Sequence, residues 1–459
     1  MKVRLFAAGG GDCLLVTAND SDASILVDGG ITGAYREHVA PFLSEHVERL
    51  SLVCVSHADA DHVRGVIELF ENELAWRVHD YQMQEGNPSH IAPDQPRPPP
   101  VDALWHNGAG IFTERIGHAA ETALLALAAI ESGSSIGNED FALSSLACTN
   151  MATSIREGRT LRRLTSADGL DVPLNAPFGG KPVRLAHDSV DHEIGSMRLR
   201  LVGPHKSDLD RLTRSWETWL DSLLAEESIA SVSRHVAERR AMTLEVSAPT
   251  LNRSLEQAAS DLERASSLLD TSLGELGTRI ADRSRVTIPN LASITFSLQE
   301  RNASLLCTGD AHQRDIEKGL KVSGAFDADG RAHFTAIKVP HHGSEHNTDA
   351  SFWKRVTAEH YLVCANGSHH NPDERVLDDL VDARLSEEAG SSQQSDRPFA
   401  LWFDTPPDSR EAREHLGTMI EHVKRRAADP DSKGRLSVEV SESGQIGLDL
   451  SEEMDAARG

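Results

Sequence analysis

The segment Ser56-His57-Ala58-Asp59-Ala60-Asp61-His62 places two histidines and two aspartates within six positions, directly after the apolar run 50–55. Asp and His side chains at alternate and adjacent positions of a tight loop can face two neighbouring ions, and a solvated charge run has no need of that mixture. The segment reads as a metal-binding loop at the end of a buried strand. Three other strand-like runs also end in polar groups. Ser304-Leu305-Leu306-Cys307 leads into Thr308-Gly309-Asp310, Ala336-Ile337-Lys338-Val339 into Pro340-His341-His342-Gly343-Ser344, and Tyr361-Leu362-Val363-Cys364-Ala365 into Asn366-Gly367-Ser368-His369-His370-Asn371-Pro372. A sheet gathers one site from distant sequence in this way.

The elements that must position these groups follow from periodicity and turn chemistry. Residues 1–30 read as a hairpin around the Gly9-Gly10-Gly11-Asp12 turn, followed by a third strand that ends at Asp28-Gly29-Gly30. Residues 35–50 are helix-like, and 63–72 read as a helix starting beneath the metal loop. After a Pro-rich loop at 92–100 and a short strand at 101–105, an Ala-rich helix is expected at 118–131. Residues 207–285 look mostly helical, with one run over 251–280. Strand character returns in a pair at 292–298 and 304–310, and an amphipathic helix near 410–426 precedes a last hairpin, 435–440 with 446–450.

Composition narrows the class. At 459 residues the chain can bury a large core, and its five cysteines are odd in number and widely spaced, as in a reduced, cytoplasmic protein. No apolar run is long enough to cross a bilayer, so no membrane partner is expected. The net charge of −25 argues against a broad electrostatic footprint for nucleic acid, which rests on Lys and Arg at phosphates. A polyanionic substrate would have to be drawn locally, by bound cations.

Taken together, Asp28-Gly29-Gly30, the His57/Asp59/Asp61/His62 loop, Thr308-Gly309-Asp310 and His341-His342-Gly343-Ser344 resemble the metallo-β-lactamase fold superfamily. The similarity is greatest to the branch typified by the hydrolase domain of the ComEC DNA-uptake proteins, over roughly residues 1–75 and 285–375. It implies an α+β fold, an αββα metallo-β-lactamase sandwich with a large, mostly helical insertion. The first half of that domain would occupy 1–76, the insertion 77–285, and the second half 286–459.

Carried over by residue, the resemblance makes Asp61, His62 and His341 ligands of one ion, and His57 and Asp59 ligands of the other. Asp310 bridges them, and Asp28 steadies the loop through hydrogen bonds. Asp59 stands where most superfamily members have His, as it does in the ComEC-like branch. A further departure concerns the first ion: many relatives carry a His about twenty residues before the bridging Asp, where this chain has Asn290. His106, His187, His192 and His205 are the candidates to replace it. Two divalent ions, Zn²⁺ first and Mn²⁺ as the alternative, would lower the pKa of a shared water for attack on phosphorus. Asp61, His342 and His370 are the catalytic candidates, with His342 or His370 protonating the leaving group; His369 reads as a solvent-facing loop residue.

The function expected is a phosphodiesterase or nuclease with nucleic acid as substrate. The resemblance adds a regulatory protein partner and a setting in bacterial antiviral defence. The alternatives are a small-molecule phosphodiesterase, such as a phosphorylcholine-esterase-like hydrolase, and a non-catalytic scaffold whose helical arm binds partners. Intact Asp61, His62, Asp310 and His341 speak against the scaffold.

Overall fold

The computed structural model describes residues 1–87, 89–108, 153–186, 190–207, 209–210, 214, 292–386 and 397–451. The chain divides into two compact units. One comprises Met1–Gly108, Glu157–Leu209 and Val286–Gly459 and carries both sheets. The other comprises Ala109–Arg156 and Asp210–Arg285, of which few residues are described. The helices expected at 118–131 and 251–280 lie outside the described residues, as does most of 207–285.

The first sheet is built from β1 (Lys2–Phe6), β2 (Leu14–Thr17), β3 (Ser24–Val27), β4 (Leu52–Val55), β5 (Leu104–His106) and β14 (Gln445–Asp449), in the order β14-β1-β2-β3-β4-β5. The second runs β13-β12-β11-β10-β9-β8-β7-β6. Its strands are β6 (His192–Ile194), β7 (Met197–Gly203), β8 (Thr295–Glu300), β9 (Ala303–Cys307), β10 (Ala332–Lys338), β11 (Val356–Val363), β12 (Phe399–Phe403) and β13 (Leu436–Val440). The central strands are apolar at successive positions because both faces are covered. In β4, Leu52 and Cys54 enter a core shared with the other sheet, through Leu199, Leu305, Ala336 and Leu362. Val53 and Val55 point the other way, into a core with Val63, Val66 and Leu69. In β11, Leu362 faces the inter-sheet core, and Tyr361 and Val363 face one built with Leu377, Leu380 and Leu416. Three cores thus separate four layers, helix, sheet, sheet and helix, which is the α+β sandwich expected.

The helices of the outer layers are α1 (Ala40–His46), α2 (Ala60–Gln84), α3 (Gln313–Val322), α4 (Ala350–Arg355), α5 (Glu374–Leu385) and α6 (Glu414–Ala428). α2 starts within the metal loop and runs a dozen residues past the expected 63–72, its outer turns half-buried or exposed. Among the described residues no helix is long and apolar enough to cross a membrane.

Two expectations require correction. The last two strands do not form a hairpin: β13 pairs in parallel with β12 in the second sheet, and β14 pairs antiparallel with β1 in the first. Each sheet had an open edge, and pairing across to different edges satisfies more backbone donors than pairing with each other. The stretch 77–285 is also not wholly an insertion, because β5, β6 and β7 within it are strands of the two sheets. The alternating Met197-Arg198-Leu199-Arg200-Leu201 carries a period of two that marks β7.

Candidate metal centre

The metal loop leaves β4 at Val55, and Asp28, just beyond β3, reaches across to anchor it. Ser56 donates to Asp28 twice, from its backbone N–H to Oδ1 and from its hydroxyl to Oδ2, both at 2.7 Å. Asp28 holds a left-handed backbone (φ 58°), a conformation that costs a non-glycine residue about 1 kcal/mol or more and marks a position the surroundings impose. The chain then turns into α2, with Asp61 and His62 in its first turn. From the other sheet, Gly309-Asp310 follows β9 and His341-His342 follow β10. His341 (φ 47°) and His342 (φ 55°) are both left-handed, which folds two consecutive rings toward one carboxylate.

Four imidazoles meet at Asp310. The Nε2 atoms of His57, His62, His341 and His342 lie 3.7, 3.6, 3.5 and 3.6 Å from Asp310 Oδ2. These gaps are too long for hydrogen bonds. They suit neighbouring ligands of one ion, since bonds of about 2.0–2.1 Å at tetrahedral angles place ligand atoms about 3.4 Å apart. His57 Nε2 is also 3.6 Å from Asp59 Oδ2, and His342 Nε2 is 3.7 Å from Asp61 Oδ2. The Nε2 atoms of His57, His62 and His342 are buried without a hydrogen-bond partner.

Every opposite ring nitrogen is engaged. His62 Nδ1 lies 3.1 Å from Asp28 Oδ2, His341 Nδ1 2.7 Å from Asn347 Oδ1, and His342 Nδ1 2.8 Å from the carbonyl of Cys364. His57 Nδ1 is 3.0 Å from Ser56 Oγ, whose proton already goes to Asp28, so the hydroxyl accepts from the ring. With a proton on each Nδ1, each Nε2 presents a lone pair inward, as a metal ligand must.

The electrostatics agree. Burial works against a charge on His62, yet the Asp310, Asp61, Asp28 and Asp12 carboxylates raise its pKa well above the ordinary value. Burial likewise opposes ionisation of Asp310, and His341, His342, His62 and His57 overcome it and hold the group well below the usual carboxylate range. Burial lowers the pKa of His341, so the protons that the cluster holds firmly sit on His62 and His342, where metal cations can displace them.

Two buried residues that motif spacing did not single out lie against this cluster. Asp12, in the β1–β2 turn, has Oδ1 3.3 Å from His342 Nδ1 and Oδ2 3.8 Å from His62 Nδ1. Lys338, the last residue of β10, is ion-paired with Asp12 and has Nζ 3.1 Å from the Gly309 carbonyl and 3.6 Å from Asp310 Oδ1. A lysine inside the apolar run Ala336-Ile337-Lys338-Val339 was the sequence signal for it.

The remaining expected residues lie elsewhere. His370 is exposed in a turn, its ring edge-on to His415, and His369 beside it is exposed as expected. His106 is fully buried at the end of β5, on the face that carries Leu104 into the helix-side core, and burial together with Arg162 pushes its pKa down to about 4. His192 packs against Trp105 and Phe178, and His205 is buried at a bridge to Leu185. None of the three joins the rings around Asp310. His187 and Asn290 lie outside the described residues.

Residues 7–121 match the family model of the metallo-beta-lactamase superfamily, which takes in the metal loop and Asp28. No curated protein matches the chain. Among solved structures it is similar to the metallo-beta-lactamase fold protein YhfI from Bacillus subtilis, at 9% identity over 98% of this chain and 100% of that one. The TM-score of 0.29 is too low to bear on the fold. The family match supports the superfamily fold, and that superfamily suggests a metal-dependent hydrolase.

Proposed function

We propose that the chain is a dinuclear metal-dependent hydrolase that cleaves phosphodiester bonds in nucleic acid. The observation that carries this reading is the convergence of four imidazole Nε2 atoms on Asp310 Oδ2, each ring held in place through Nδ1. Asp61, His62 and His342 would hold one ion and His57 and Asp59 the other, with Asp310 shared. Two divalent ions bound there would supply Lewis acidity and lower the pKa of water. His342, with its side chain 7% exposed, fits a ligand position, whereas His341 is 25% exposed and stands at the rim, where its ring, once protonated on Nε2 as well, is an acid strengthened by burial that can pass that proton to a leaving oxygen. This reverses the roles expected for the pair from sequence, in which His341 was the ligand and His342 the proton donor. Asp61, 41% exposed, is the carboxylate on the open side, positioned to orient water. Three carboxylates beside three histidines make a harder donor set than an all-histidine site, which favours testing Mn²⁺ beside Zn²⁺.

Nucleic acid as substrate rests on the ComEC-like motifs, and control by a protein partner in antiviral defence belongs to the same reading. The net charge of −25 favours a second reading, a small phosphodiester, which needs no extended cationic track. The test is hydrolysis of plasmid DNA, single-stranded DNA, RNA and bis(p-nitrophenyl) phosphate with Mn²⁺ or Zn²⁺. Cleavage should cease with a chelator and in Asp61→Asn, Asp310→Ala and His342→Ala. His341→Ala should retain both ions and lose about 10²–10⁴-fold in rate. Turnover of the small ester alone would select the second reading. Absence of any phosphodiester hydrolysis by the folded, metal-loaded chain would overturn both.

A further inference from the structure

The cluster destined for cations contains a permanent cation of its own. Lys338 is 1% exposed, and burying an ammonium without compensation costs several kcal/mol. Its compensation is Asp12, itself 1% exposed, from the opposite sheet. The pair alone would be satisfied anywhere in the interior. Its position is informative because the same Nζ also lies 3.6 Å from Asp310 Oδ1, while Oδ2 of Asp310 faces the four imidazoles. The two oxygens of Asp310 are therefore in different environments: one faces an ammonium and the other faces the ligand nitrogens. The Gly309 carbonyl, 3.1 Å from Nζ, ties the lysine to the backbone that presents Asp310.

We infer that Lys338 is a positioning residue whose ammonium, facing Asp310 Oδ1 across 3.6 Å, disfavours a cation on that oxygen and so leaves Oδ2 to the metals. This rests on the dinuclear reading above. An oxygen beside an ammonium is a poor place for a cation, so both ions of a two-metal site, which work at a spacing of about 3.5–4 Å, would draw on Oδ2. Asp12 anchors the device from the first sheet, and also touches His342, so the bridge geometry is braced across the sandwich.

The experiment uses the full chain, stripped of metal and titrated with Mn²⁺, with EPR to report exchange coupling between the ions and calorimetry to report their affinities. Lys338→Met leaves Asp12 buried and unpaired and can fail to fold, so the informative variant is Asp12→Asn with Lys338→Met, which removes both charges together. The wild type should take two coupled Mn²⁺ ions. The folded double variant should bind the second ion at least tenfold more weakly and show reduced coupling. Wild-type affinities and coupling in that variant would overturn the inference. Should the double variant not fold, Asp12→Asn with Lys338→Gln, which removes both charges but keeps two side chains able to hydrogen-bond, is read in the same way: a second ion bound more weakly supports the inference, and wild-type affinity and coupling overturn it. A folded wild type that takes up no second ion of Mn²⁺ or Zn²⁺ would instead count against the dinuclear reading itself.

Discussion

At the scale of single residues, the cluster depends on what holds each imidazole from behind. Asp28 is the most connected of these supports, since it accepts from Ser56 twice and from His62, all within 3.1 Å. Asp28→Asn keeps the shape and removes the charge that fixes the His62 tautomer. Metal affinity should fall about 10–100-fold with little change in fold, as measured by calorimetric titration with Mn²⁺ or Zn²⁺. An unchanged affinity would mean that His62 is oriented by packing alone. That His57, His62, Asp310, His341 and His342 come together was legible in the sequence because Asp and His are costly to bury without a purpose and sat at strand ends. Asp12 and Lys338 were not, because one looked like an ordinary turn aspartate after three glycines and the other like a stray polar residue in a strand. His370 was a false signal for a physical reason: its turn lies at a strand end as the others do, but its ring turns outward to His415.

At the scale of elements, the site is set by how closely two backbone segments approach. A Cβ placed on Gly11 would come within 1.6 Å of the Asp61 carbonyl oxygen, so the β1–β2 turn rests directly on the first turn of α2. The neighbouring contact is similar, since a Cβ on Gly65 would meet the Gly29 carbonyl at 1.9 Å, and Gly65 N–H donates to Gly30 at 2.8 Å. Gly11→Ala should push α2 outward, lowering stability by about 1–3 kcal/mol and weakening metal uptake together. Thermal unfolding and metal titration check this, and a variant that loses stability but binds metal normally would show that the loop moves independently of the turn. The glycine turn was readable as a turn, but its role as a seat for α2 was not, because sequence does not reveal which distant backbone comes to rest on it. The same limit explains the last two strands. Their local pattern fits a hairpin, and only the open edges of β1 and β12 draw them apart.

At the scale of the whole molecule, a buried acid makes stability fall as pH rises between about 3.8 and 8. Asp404, at the end of β12, is 1% exposed; burial pushes its pKa up to about 8, and hydrogen bonds from Ala365 N–H and Thr405 Oγ1 only partly offset this. The unfolded chain releases this proton near pH 3.8, whereas the folded protein keeps it until about pH 8. Its contribution is therefore complete below pH 3.8 and is lost as pH rises through 8, with a slope of up to about 1.4 kcal/mol per unit. Asp404→Asn should remove that slope in metal-free protein and raise the melting temperature at pH 7.5; parallel wild-type and variant curves between pH 4 and 8 would show that Asp404 ionises normally. The division into layers was implied by the resemblance carried by the metal-loop motifs, whereas the reach of the main unit into 157–209 was not, because β6 is three residues long and β7, although alternating, is far in sequence from the strands it joins. One consequence follows from β14, whose pairing with β1 joins residue 2 to residue 449. A ribosome releasing this chain has produced residues 57–62 long before Asp310 and His342 emerge, and β14 reaches the edge of the first sheet later still. The ring of imidazoles around Asp310 therefore cannot close through most of that synthesis, and a product truncated before residue 310 lacks Asp310, His341 and His342.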